Sequence, residues 1–179
     1  MKREWNAVEI LRHSRHDWLN KLQLIKGNLA LDRLDRVNEI IEEIIIDTKN
    51  EAKLSNLKAH KLASLLMLFN WDERHFFLDF EVIGNERNLS FHDDELTSWC
   101  FGFLNNLNKS IKPFAENNLI LSIELSDEDV RFIYDFSGII VDKRRILNYL
   151  ENQKNHGIIK VLEYEVHKNE LVVITKILL

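Results

Sequence analysis

His16 is the residue around which chemistry is most readily built. It sits in the run Arg12-His13-Ser14-Arg15-His16-Asp17-Trp18-Leu19-Asn20-Lys21-Leu22-Gln23, followed by Gly27. On a helical wheel of about 100° per residue, Arg12, Asn20, Gln23 and Gly27 fall within about 40° of it. His13 is about 60° away, and Asp17 lies nearer the flank. An unhindered imidazole is largely neutral at neutral pH and attacks phosphorus through its unprotonated nitrogen. Asp17 could orient such a ring or assist its proton transfer, and Asn20 could donate hydrogen bonds to a bound phosphoryl group. Two plainer readings fit the same residues: an ordinary surface histidine, and a metal site from His13, His16 and Asp17 whose ligand set is incomplete.

The element that must carry His16 is a helix with a coiled-coil-like seam. Leu11, Trp18, Leu22, Ile25 and Leu29 recur at steps of 7, 4, 3 and 4. They cluster within roughly 60° on the wheel, with His16 about 150° from their centre. A second helix follows, with Leu34, Val37, Ile41 and Ile44 as its stripe and Ile40 and Ile45 widening it. Gly27-Asn28 weakens the end of the first helix, Asp32 or Asp35 is placed to cap the second, and the turn is expected near Ala30–Arg33. One hairpin cannot bury so wide a stripe on both helices. Two hairpins paired across a two-fold axis as a four-helix bundle would bury it, so a homodimer is expected.

Beyond Leu57 the pattern changes. Leu62–Phe69 reads as a short helix, Phe76–Ile83 as a strand, and Asp93–Phe114 as a helix stopped near Pro113. Leu119–Leu125 and Val130–Phe136 read as strands joined by Ser126-Asp127-Glu128-Asp129; a helix over Lys143–Gln153 follows, then strands Glu163–His167 and Glu170–Ile177 around Lys168-Asn169. The fold class is therefore α+β: a helical hairpin over 1–58 and an α/β sandwich over 59–179. Residues 1–58 hold 11 Lys and Arg against 10 Asp and Glu, and the remainder 13 against 19. The net charge of −5 argues against nucleic acid, while Arg12, Arg15, Lys21 and Lys26 against Asp17 alone suit an acidic partner. No apolar run approaches the roughly 20 residues of a membrane span, and the N-terminus has no signal-peptide core. Cys100 is the only cysteine, so no intramolecular disulfide or thiolate zinc site is available. A cytoplasmic protein is expected.

The longer run Ser14-Arg15-His16-Asp17-Trp18-Leu19-Asn20-Lys21-Leu22-Gln23-Leu24-Ile25-Lys26-Gly27-Asn28-Leu29 resembles the phosphorylation motif of the sporulation initiation phosphotransferases, from the phosphorelay of spore-forming bacteria. It is also similar to the His-Asp-x-x-Asn variant of the H-box in some sensor histidine kinases. Asp35-Arg36-Val37, Lys53 to Lys58, and Phe69-Asn70-Trp71 extend the resemblance, which fades toward the C-terminus. It implies a dimeric four-helix bundle with an exposed reactive histidine, and a C-terminal domain shaped like a degenerate histidine-kinase ATP-binding domain. Carried over residue by residue, the phosphoryl acceptor is His16. Arg15, Asp17, Asn20, Lys21 and Gln23 match the surrounding motif and, with Arg12, are assigned to positioning or docking. The implied partners are response regulators: a single-domain sporulation regulator as donor and the pathway's transcription factor as acceptor.

A working kinase domain would also need a metal-holding Asn and glycine-rich loops around the nucleotide phosphates. Asn105-Asn106-Leu107-Asn108-Lys109 aligns with the kinase N-box, with Lys109 at the position of the critical Asn; shifting the register by one restores Asn108. Asp135-Phe136-Ser137-Gly138-Ile139 keeps one glycine of an Asp-x-Gly-x-Gly loop, and His156-Gly157-Ile158-Ile159 is what remains of the later loop. The expectation is a phosphotransferase with no cofactor or metal of its own, Mg²⁺ being supplied by the regulator's acidic pocket. The alternatives are an autophosphorylating sensor-type kinase and a non-catalytic dimeric adaptor. His60, His75, His92, His156 and His167 carry no motif.

Overall fold

The computed structural model describes residues 5–153 and 157–177. Packing divides the chain into two compact units between Lys49 and Asn50.

The first unit is the helical hairpin. α1 spans Ala7–Ala30 and opens on a reciprocal capping box: Glu9 N donates to Asn6 Oδ1 at 3.0 Å, and Asn6 N donates to Glu9 Oε2 at 3.5 Å. Its end is closed by Asp32, which takes the left-handed conformation at φ 55°. Asp32 N donates to Leu29 O at 3.1 Å and Arg33 N to Asn28 O at 2.9 Å, the paired bonds of a Schellman motif. Asp32 thus terminates α1 instead of capping α2, which spans Leu34–Asn56 and begins with Val37 N donating to Arg33 O. The expected turn at residues 30–33 is where the chain reverses. Val37 and Ile40 are buried, but no residue of α1 is: Leu11, Trp18, Leu22 and Leu29 are all at least half exposed.

The second unit takes the last two turns of α2, because Leu54 and Leu57 are buried in its core. Packing therefore divides the chain inside α2, ahead of the 58/59 boundary expected from sequence. Asn50 Oδ1 accepts from Val82 N, and Lys53 Nζ donates to Val82 O at 2.9 Å. After α2 come α3 (His60–Met67), a 3₁₀ turn (Phe69–Trp71), β1 (Phe77–Gly84), a second 3₁₀ turn (Ser90–His92), α4 (Asp93–Asn108), β2 (Asn118–Leu125), β3 (Val130–Ser137), α5 (Lys143–Gln153), β4 (Ile159–Val166) and β5 (Glu170–Ile177). The strands form one sheet in the order β1-β2-β3-β5-β4, parallel only between β1 and β2. That single parallel pair encloses α4, as a crossover connection requires. Alternate residues such as Leu119, Leu121 and Ile123 of β2 face a core shared with Leu62 and Leu66 of α3, Phe103 and Leu107 of α4, and Ile146 and Leu150 of α5. This is the expected α+β arrangement.

Two boundaries differ from the sequence reading by more than two residues. α4 ends at Asn108, well before Pro113. Ser110 Oγ donates to Asn106 O, Lys112 N donates to Ile139 O, and Ile111 bridges Ile140, so the backbone after Lys109 bonds to the chain leaving β3 rather than extending the helix. β4 begins at Ile159 rather than Glu163, because a register shift between Val161 and Glu163 breaks the two-residue alternation. Cys100 is buried against Tyr134, and burial pushes its thiol up to about 12, so it is no nucleophile. Among the described residues no helix is long and apolar enough to cross a membrane.

Candidate functional site

α1 presents His16 to solvent, its side chain 73% exposed. On the wheel the face that carries His16 is remote from the apolar seam, and both faces of α1 are exposed within the chain. One turn along, Asn20 Nδ2 lies 3.1 Å from His16 Nδ1. Asp17 Oδ1 lies 3.7 Å from the same nitrogen. Both neighbours therefore bear on Nδ1, and no hydrogen bond to Nε2 is made among the described residues. With its amide nitrogen turned to the ring, Asn20 donates to an unprotonated Nδ1; turned over, its oxygen accepts from Nδ1–H. In the second state Nε2 holds the free lone pair and points at solvent. An exposed imidazole with one nitrogen held and the other open is suited to form and break a bond to an incoming phosphorus.

Of the other residues expected here, Arg12 and Gln23 are exposed on α1, about 40° and 20° from His16 on the wheel. Arg15 is exposed but lies about 100° round the helix. Lys21 is about 140° from His16, and its Nζ pairs with Asp47 Oδ2 of α2 at 3.0 Å. It ties the two helices together rather than lining the histidine's face. The helix pairing that finds Asp47 is not readable from local spacing. His13 packs edge-on against Trp5 with ring centroids 5.0 Å apart, so it does not join His16. Among the described residues no three His, Cys, Asp or Glu side chains are grouped to hold a metal ion.

In the second unit the kinase-like asparagines are occupied. Asn105 Oδ1 accepts from Arg74 at 3.5 Å, Asn106 Nδ2 donates to Gly102 O, and Asn108 Oδ1 accepts from His75 N at 2.8 Å. Gly138 is required by packing: a Cβ there would sit 2.3 Å from Asn117 Oδ1. A cleft of about 510 Å³ lies between α4 and α5, lined by Trp99, Gly102, Tyr149, Gln153 and Gly157 among others. Its only charged lining residue among those described is Glu95, which repels phosphates. The Tyr149 hydroxyl donates to Trp99 O at 2.8 Å and lies over Gly102, where a Cβ would meet it at 2.5 Å. His156 lies outside the described residues.

The chain is similar to known proteins. The family model for the sporulation initiation phospho-transferase B C-terminal region matches residues 58–178, and that for the alpha-helical domain of SpoOB-type sensor kinases matches residues 1–57. Sporulation initiation phosphotransferase B of Bacillus subtilis (strain 168) is 36% identical over 168 residues, which is 93% of this chain and 86% of that protein. Among solved structures, the catalytic domain of the histidine kinase ThkA is 14% identical over 70% of this chain and 91% of its own, with a TM-score of 0.46. A bacterial phosphotransferase is 14% identical over 97% and 98%, with a TM-score of 0.37. Matched by both family models across nearly its whole length, the chain belongs to the sporulation initiation phosphotransferase B family.

Proposed function

We propose that the protein relays a phosphoryl group between two response regulators through His16. The observation that carries this reading is the exposed imidazole whose Nδ1 is held by Asn20 at 3.1 Å while Nε2 is open. A phosphorylated regulator docks over the Arg12–Gly27 face of α1. The Nε2 lone pair attacks the phosphorus of the aspartyl phosphate, the P–O bond to the aspartate breaks, and the carboxylate leaves with the bonding electrons. The imidazolium that forms keeps its Nδ1 proton against Asn20 or Asp17, and a second regulator's aspartate reverses the step. The chain contributes position and charge rather than acid–base chemistry at the phosphorus. Arg12 and Arg15 offer positive charge to an acidic regulator pocket, which brings its own magnesium ion.

The reading extends to assembly and place. Leu11, Trp18, Leu22 and Leu29 lie exposed along α1, and a second copy pairing there would bury them as a four-helix bundle. The setting is the cytoplasm of a spore-forming cell, with the single-domain sporulation regulator as donor and the pathway's transcription factor as acceptor. The test is transfer of label from a phosphorylated response regulator to the native protein and to His16→Ala. Label on the native protein alone supports the reading; equal labelling of both removes His16 from it. Rapid labelling of the isolated protein by ATP would replace the relay with an autokinase.

A further inference from the structure

Phe114, in the loop between α4 and β2, stands in a position that its own chain does not explain. Its ring is fully exposed, and its backbone takes the left-handed conformation at φ 59°. It follows Pro113 in a turn. When the second residue of such a Pro-led turn has a positive φ it is ordinarily Gly or Asn, because a bulky side chain crowds the backbone there. An aromatic ring at this point is unfavourable twice, in backbone conformation and in contact with water. Of the three left-handed non-glycine residues described, Asp32 and Lys58 are polar and Phe114 alone is apolar.

The ring forms part of the rim of a cleft of about 410 Å³ on the α/β unit. Beside it lie Phe77, 57% exposed at the start of β1, and His75, whose ring meets Phe114 edge-on with centroids 6.2 Å apart. The carboxylates and guanidinium among the described lining are Asp72, Arg74 and Glu116. Arg74 is already engaged: Nη2 donates to Asp72 Oδ2 at 3.1 Å, and the guanidinium lies over the Phe69 ring, 5.0 Å from its centroid. Glu116 is exposed and has no ion pair or side-chain hydrogen bond among the described residues. The cleft therefore offers two exposed aromatic rings and one uncompensated carboxylate. A guanidinium fits that set best, being planar, weakly hydrated and able to stack on a ring while it forks to a carboxylate. The charge of the unit acts in the same direction, since residues 59–179 hold 13 Lys and Arg against 19 Asp and Glu.

We propose that this cleft is a docking site for an arginine presented by a partner protein, its guanidinium lying against Phe77 and Phe114 and pairing with Glu116. The contact repeats one that the fold already makes, where Arg74 rests on Phe69 beside Asp72. Size and exposure favour a protein segment over a free small cation. The volume is near the low end of ligand pockets, which run about 300–1,000 Å³. A small molecule seated inside would leave the outward ring of Phe114 in water, whereas a chain passing over the rim covers it. The site belongs to the α/β unit and is independent of the relay through His16.

The test is titration of the isotope-labelled full-length protein with the peptide Gly-Ser-Arg-Ser-Gly, followed by amide chemical shifts. Peptides with Leu or Glu at the centre, and free arginine amide, are run beside it. The arginine peptide should give saturable shifts at His75, Phe77, Phe114 and Glu116, and the other two peptides none. Affinity should fall about tenfold in Phe114→Asn and about threefold in Glu116→Gln, which should also lose the salt dependence of binding. Phe114→Asn should melt at or above the native temperature, because Asn accepts a positive φ and no packed ring is lost. No saturable shift with the arginine peptide, or native affinity in Phe114→Asn, would overturn the proposal. Equal binding of the leucine peptide would overturn it by making the cleft a plain apolar groove. Free arginine amide binding as tightly as the peptide would replace the partner protein with a small cationic ligand. A marked fall in the melting temperature of Phe114→Asn would overturn it too, by assigning the ring to the fold.

Discussion

The two units handle apolar surface in opposite ways. In the α/β unit Phe103, Tyr134, Phe136, Leu119 and Leu121 are at most 1% exposed, and backbone groups at loop ends are met by named side chains. Asn117 alone donates to His75 O and Lys112 O and accepts from Ile139 N, fixing three chain segments. In the hairpin no α1 residue is buried, and four seam residues stand at least half exposed. The α/β unit closes its apolar surface within the chain, while the apolar seam of α1 stands open. Substitutions should therefore separate: those in the α/β unit change stability, and those in the hairpin change association and transfer.

The largest separation is expected at His16. His16→Ala should abolish transfer, leaving no measurable phosphoprotein, while its melting temperature stays within about 2 °C of native because exposed substitutions change stability by only about 0.5 kcal/mol. Melting followed by circular dichroism beside a labelling assay checks both halves, and a large loss of stability would break the contrast. Next comes Phe103→Ala. Phe103 stacks on Trp99 with ring centroids 5.5 Å apart and meets Tyr134 at 4.7 Å. Its truncation should cost about 3–5 kcal/mol in denaturant unfolding. Leu22→Asp should leave the α/β unit's own melting intact yet return a monomer in sedimentation, since a carboxylate in the paired seam would cost several kcal/mol. A surviving dimer would mean that α1 does not pair through that face.

The sequence made this division legible because it rests on periodicity. A seam at steps of 3 and 4 announces both a helix and its apolar side, and His16 follows as outward by subtraction. α5, expected around Lys143–Gln153, was readable because polar residues bracket its two buried residues, Ile146 and Leu150. Features set by tertiary contact were not readable. α4 stops at Asn108 because Lys112 and Ser110 bond to the Ile139–Asp142 segment, far along the chain. The start of β4 hides behind a bulge, and Asp32 adopts a left-handed turn that composition usually assigns to glycine. Within the site, the spacing of His16 and Asn20 suggested proximity, but only coordinates place the amide on Nδ1. Lys21 is the member placed away from the His16 face, since motif spacing cannot tell a docking lysine from one that pairs with the next helix.

That lysine supplies the smallest test. Lys21 Nζ and Asp47 Oδ2 are 3.0 Å apart, yet the side chains are 37% and 49% exposed. Water and salt screen such a pair, and double-mutant cycles on exposed pairs give about 0.2–1 kcal/mol. Solvent exposure places this one toward the lower end, so Lys21→Met, Asp47→Asn and the double variant should show coupling of about 0.5 kcal/mol or less, shrinking further in high salt. Transfer should keep its native KM in Lys21→Met, because the ammonium points to α2 rather than to the His16 face. A coupling of several kcal/mol would mean that the hairpin is locked by its own ion pair and needs no burial of its seam. A raised KM at unchanged coupling would instead return Lys21 to the docking face. Weak coupling with native KM leaves the hairpin as two helices aligned by a loose pair, whose rigidity comes from whatever covers the leucines.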